Sequence, residues 1–106
     1  MALTRDLKET VAARVHNDQA FAQALLGEAI SMFVNGDTDS AKLILRDLVN
    51  ATVGFEALAE EIHKPAKSLH RMLSQSGNPT MSNISAVFAA IKRALKAEAH
   101  AQVVVA

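Results

Sequence analysis

The side chains best suited to chemistry in this 106-residue chain lie between Ile62 and Ala97, which holds six cations (Lys64, Lys67, Arg71, Lys92, Arg93, Lys96) and no carboxylate. Hydrogen-bonding residues His70, Ser74, Asn78 and Thr80 lie among them. The residues from Met1 to Glu61 show the opposite balance, with ten acidic and five basic residues, a net of minus five, so that the whole chain is neutral. A neutral chain that is basic along one third has an electrostatic front, and a polyanion is the simplest partner for it. Arginine and lysine are the usual partners of guanine O6 and N7, whereas amides and hydroxyls suit phosphate oxygens.

Other reactive groups form no recognisable centre. The four histidines, His16, His63, His70 and His100, make no tight pair at ligand spacing with a carboxylate, so no metal site is expected. Glu56, Glu60 and Glu61 could suggest acid–base work, but helical spacing puts them on the outer face of an amphipathic segment, where solvation accounts for them. Cysteine is absent, which removes disulfides and thiolate chemistry. No nucleophile elbow, phosphate loop or GxGxxG occurs. Neither an enzyme nor a cofactor is expected.

Residues that read another molecule need elements to hold them, and the composition favours helices. Half the residues are hydrophobic, drawn mainly from Ala, Leu, Val and Ile, with only four Gly and two Pro. The length suits one domain, taken as 1–106, with no repeat or long linker. Leu3, Leu7, Val11 and Val15 recur every four residues and predict an amphipathic helix over about 4–16. Asn17 or Asp18 then caps a second helix, with Phe21, Leu25, Ala29, Met32 and Phe33 on one face and Leu26, Ile30 and Val34 widening it. Gly36 suits a left-handed stop, and Asp37 or Thr38 caps a third helix carrying Ala41, Ile44, Leu45, Leu48, Val49 and Val53 inward. Short patterns follow at 55–62 and 66–74, the second opening near Pro65. After a loop at 75–80, Ser82 or Asn83 opens a last helix with Ile84, Val87, Phe88, Ile91 and Leu95 inward. The Val103–Val105 tail is either a short strand or frayed.

The stretch FEALAEEIHKPAKSLHRML, residues 55–73, reads as a helix-turn-helix. Leu58, Ala59 and Ile62 supply the inner face of its first helix, and Leu69, Met72 and Leu73 that of its second. At about 100° per residue, Lys67, His70, Arg71 and Ser74 share the opposite side of the second helix. Lys67 and Arg71 are thus the candidate base readers, with His70 and Ala66 beside them, while Lys64, Asn78 and Thr80 are placed to meet phosphates. The four phenylalanines fall on inward faces and read as core rather than as a stacking platform. The blander account is that two amphipathic helices with solvated charges are a common structural motif.

From Asn17 onward the sequence resembles the antitoxins of addiction modules that carry a Cro-repressor-like helix-turn-helix (HigA-like antitoxins). The likeness is carried by NDQAFAQALLGEAISMFVNGDTDSAKLILRDL, by ALAEEIHKPAKSLHRMLSQSGNPTMSNISAVFAAI, and by the spacing between them. Leu73-Ser74 and Gly77-Asn78-Pro79-Thr80 are its most specific part. The resemblance implies an all-α, five-helix, lambda-repressor-like domain with an N-terminal helix and a short C-terminal tail. It also implies binding to double-stranded operator DNA, autorepression, and a RelE/ParE-type toxin as partner. The family usually has Gly-Leu-Ser at the turn and Tyr in the recognition helix. Here His63-Lys64-Pro65 and His70 stand instead, which implies a different operator.

One recognition helix reads only a half-site, so a homodimer is expected, with its seam near the last helix and the valine tail. No segment reaches the apolar length of a membrane span, and the charged start MALTRDLKET does not read as a signal peptide, so a cytoplasmic location is expected. Two further readings remain: a stand-alone helix-turn-helix regulator without a toxin, and a helical protein-interaction module.

Overall fold

The computed structural model describes residues 13–15 and 17–105. Among them every regular element is an α-helix and there is no strand, so the chain is all-α. The helices are α1 (Gln19–Val34), α2 (Thr38–Ala51), α3 (Phe55–Ile62), α4 (Ala66–Met72) and α5 (Met81–Ala94). Residues 13–15 and Asn17 are also helical, and most of the helix expected at 4–16 lies outside the described residues. No helix among the described residues is long and apolar enough to cross a membrane.

The helix starts follow from short polar side chains that satisfy amide groups left without intrahelical partners. The Asp18 carboxylate accepts from the Phe21 amide at 3.1 Å, and the Asp37 carboxylate accepts from the Ser40 amide at 3.2 Å. The last helix starts earlier than the expected Ser82 or Asn83. The Thr80 hydroxyl accepts from the Asn83 amide at 3.2 Å, and the Thr80 carbonyl takes the first helical bond from Ile84. Beginning there places Ile84 within the helix and on its buried face.

Among the described residues an apolar cluster draws on α1 to α5 and on Val15, with Leu45, Leu48, Val49, Leu58, Leu69, Leu73, Val87 and Ile91 fully enclosed. In α1 the buried line is Ala22, Leu26 and Ala29, whereas Phe21, Leu25, Ile30 and Phe33 flank it half-buried. The sequence reading placed Ala29 on this face and Leu26 at its edge, but it left out Ala22 and filled the face with Phe21, Leu25, Met32 and Phe33. The small side chains take the centre because they admit close approach of the neighbouring helix. Val34, expected to widen the face, is exposed at the last residue of α1. Phe33 meets Phe88 of α5 edge to face, with ring centroids 6.0 Å apart. The Val103–Val105 tail forms no strand and all three side chains are exposed.

Between α3 and α4 the chain turns on His63, Lys64 and Pro65. His63 has φ 58° and ψ 45°, the left-handed conformation, and its amide caps α3 by donating to the Ala59 carbonyl. Pro65, with φ −62° and ψ 141°, directly precedes α4. A non-glycine residue in the left-handed region costs about 1–2 kcal/mol, because Cβ crowds the following carbonyl oxygen. Glycine removes that cost but gives back part of the gain through greater freedom in the unfolded chain. His63→Gly is therefore expected to stabilise the fold by about 0.5–1 kcal/mol, read as a rise of a few degrees in the thermal midpoint followed by circular dichroism.

Candidate nucleic-acid interface

Short helix α4 is held from beneath and presents its charges above. Leu69 and the following Leu73 are buried, and Met72 is half-buried against the same cluster. Lys67, His70 and Arg71 are exposed on the other side, together with Lys64 in the turn. Ala66, at the first position of α4, is half-buried. The outer face of α4 carries no carboxylate.

Two members of the expected face are placed differently. Helix α4 ends at Met72 rather than Ser74, and the Ser74 hydroxyl turns back to donate to the Arg71 carbonyl at 2.6 Å. Ser74 therefore helps close the helix end instead of extending the cationic face. The His70 ring lies on the Phe55 ring, with centroids 3.9 Å apart and planes 19° from parallel. Phe55 is the first residue of α3, so this stack ties the outer side of α4 to the start of its neighbour. The ring edge of His70, rather than a freely swinging side chain, remains available to a ligand.

The loop after α4 carries Asn78 and Thr80, both exposed. The Thr80 side chain is committed to the α5 cap described above, so its expected phosphate contact falls to the remaining capacity of that hydroxyl and to the backbone. Gly77 lies against the end of α4: a Cβ there would overlap the Arg71 carbonyl oxygen and stand 2.5 Å from that of Met72.

Lys42 of α2, which the sequence reading did not single out, meets this loop from the core side. It is only 6% exposed, and its ammonium donates to the carbonyls of Gly77 at 2.7 Å and Gln75 at 3.1 Å. Its position relative to Leu45 and Val49, three and seven residues on, was the available signal, because that spacing lies on the buried stripe.

The electrostatics are simpler than the charge count suggests. Of the six cations between Ile62 and Ala97, Arg93 is paired with Glu61 of α3 at 2.9 Å. Both partners are exposed, so the pair adds little stability, but it removes Arg93 from the free positive face. Glu56 and Glu60 border an open depression with His63, Lys64 and Pro65, giving that edge mixed charge. Among the described residues no group of three or more His, Asp or Glu side chains could hold a metal ion. Cations exposed on the outer surface of a helix can engage an extended anionic surface better than they can enclose a small molecule. Compared with models of known families, with curated proteins and with solved structures, the chain has no match.

The close approach at Gly77 yields a direct test of how firmly this loop is set. Gly77→Ala must displace backbone carbonyls rather than a flexible side chain, so it is expected to destabilise the protein by about 1–3 kcal/mol in urea unfolding. A midpoint equal to that of wild type would mean that the loop yields freely.

Proposed function

We propose that the chain is a sequence-specific DNA-binding protein in which α3 and α4 form the helix-turn-helix of a lambda-repressor-like domain. The observation that carries this reading is the two-sided character of α4. Leu69 and Leu73 are enclosed below, while Lys67 and Arg71 stand exposed above with no acid beside them. A three-residue turn from α3 matches the architecture in which the second helix enters the major groove. Lys67 and Arg71 contact base edges in this reading, the edge of His70 and the small Ala66 lie alongside, and Lys64, Asn78 and Thr80 meet phosphates.

The protein acts as a homodimer, because paired half-sites must be met by two recognition helices about 34 Å apart. The exposed valines at 103–105 supply apolar surface for that association. The narrower reading, a cytoplasmic antitoxin that binds a RelE/ParE-type toxin and represses its own operon, is supported by the resemblance of the two sequence blocks. The acidic N-terminal half gives it less support than its net charge suggests. Asp18 and Asp37 cap helices, and Asp39 lies 3.6 Å from the Lys42 ammonium. A stand-alone repressor accounts equally well for the geometry of α3 and α4. Co-expression with the product of an adjacent toxin-sized gene separates the two, since only the antitoxin is recovered in a complex.

Lys67→Ala and Arg71→Ala are each expected to weaken binding to the DNA upstream of the gene by about 1–3 kcal/mol where the contact is bidentate to a base. Fluorescence anisotropy at two salt concentrations is the measurement. Both variants matching wild type would remove α4 from the interface and favour a helical protein-interaction module.

A further inference from the structure

We propose that Lys42 is a positioning residue that makes the loop after α4 a phosphate-binding site, with the backbone amides of Ser76 and Asn78 as donors. This rests on the DNA-binding reading above and extends it to the Ser76 amide and to Lys42 beneath the loop.

A lysine ammonium has three donors and no acceptor. In Lys42 two of them hold the Gln75 and Gly77 carbonyls, and the ammonium also lies 3.6 Å from the Asp39 carboxylate. Asp39 is 71% exposed, so water screens that attraction, and the two carbonyls are the closer partners of the enclosed charge. Burying an ammonium is costly unless it is hydrogen-bonded. The loop must therefore keep both carbonyls turned toward Lys42 for the charge to remain buried.

The direction of those carbonyls fixes the direction of two amides. The described residues contain no cis peptide bond, and in a planar trans peptide the N–H points opposite to the C=O. The Gln75 carbonyl shares its peptide with the Ser76 amide, and the Gly77 carbonyl shares its peptide with the Asn78 amide. Both N–H groups consequently point away from Lys42. Neither donates to an acceptor among the described residues, and Ser76 and Asn78 are both exposed. A cation at each carbonyl polarises its peptide and strengthens the donor at the other end. Two such amides on one loop are suited to an anion.

The loop is constrained from its other side as well. The Gly77 amide donates to the Ser74 carbonyl at 3.0 Å, and the Gly77 α-carbon abuts the last carbonyls of α4. Orientation of the two amides is thus coupled to the helix that presents Lys67 and Arg71. A duplex whose bases face α4 brings its backbone to the neighbouring loop, where these amides receive a phosphate. Phosphate contacts set register without reading sequence, so the contribution of Lys42 is the same on any duplex.

The test is a titration of the ¹⁵N-labelled full chain with a duplex from upstream of its gene, followed by amide resonances, together with anisotropy of Lys42→Met. The Ser76 and Asn78 amides are expected to move downfield in step with changes at Lys67 and Arg71. Lys42→Met, folded by circular dichroism, is expected to bind about tenfold more weakly on upstream and scrambled duplexes alike, with a salt slope close to that of wild type because the phosphate is met by neutral amides. Movement at Lys67 and Arg71 with Ser76 and Asn78 unmoved overturns the proposal while leaving DNA binding intact. An unchanged affinity in folded Lys42→Met does the same. If the variant does not fold, the wild-type titration decides alone. Absence of any response in wild type at low salt overturns the DNA reading and this proposal together.

Discussion

A helix of seven residues cannot maintain itself in water, because nucleation costs more than so few hydrogen bonds return. Helix α4 has that length, and its geometry is therefore supplied by packing. Leu69 and Leu73 enter the common core and fix which side faces outward, so the direction of Lys67 and Arg71 is set by residues that never touch a ligand. The turn at 63–65 and the closed end at Ser74 bound the helix on both sides, leaving no room for a longer and more autonomous segment. Everything proposed for the outer face depends on this anchoring.

The lysines of the chain illustrate two uses of one charge. Lys67, exposed and without an acidic neighbour on its helix, is a hydrated charge at the surface. Lys42, enclosed by α2 and the loop after α4, is already desolvated and holds backbone rather than binding from solution. Lysine suits the second use because its long apolar stem lies along the core while its head reaches two carbonyls. Arg93 is a third case, neutralised in place by Glu61.

Local rules made much of the fold legible. Asp18 and Asp37 sit where cap chemistry predicts, Pro65 precedes α4, and the inward faces of α2 and α5 follow helical spacing. The inward leucines of α4 and the exposure of Lys67 and Arg71 follow from the same periodicity. What was not legible depends on contacts distant in sequence. The Lys42 carbonyl bonds span 33 and 35 residues, and the Arg93–Glu61 pair spans 32. The central role of Ala22 in α1, beside the expected Ala29, reflects how closely a neighbour packs, which residue size along one helix does not disclose. The true end of α4 was missed because Ser74 continues the helical pattern while its hydroxyl closes the helix.

The Phe55–His70 stack has a spectroscopic consequence. The chain contains neither Trp nor Tyr, so intrinsic fluorescence offers almost no view of its folded state. A histidine ring held face to face 3.9 Å from a phenylalanine lies in the shielding cone of that aromatic current. Its carbon-bound protons should resonate upfield of those of His63 and His100, giving each molecule an intrinsic marker of whether the first turn of α3 and the outer side of α4 are still in register.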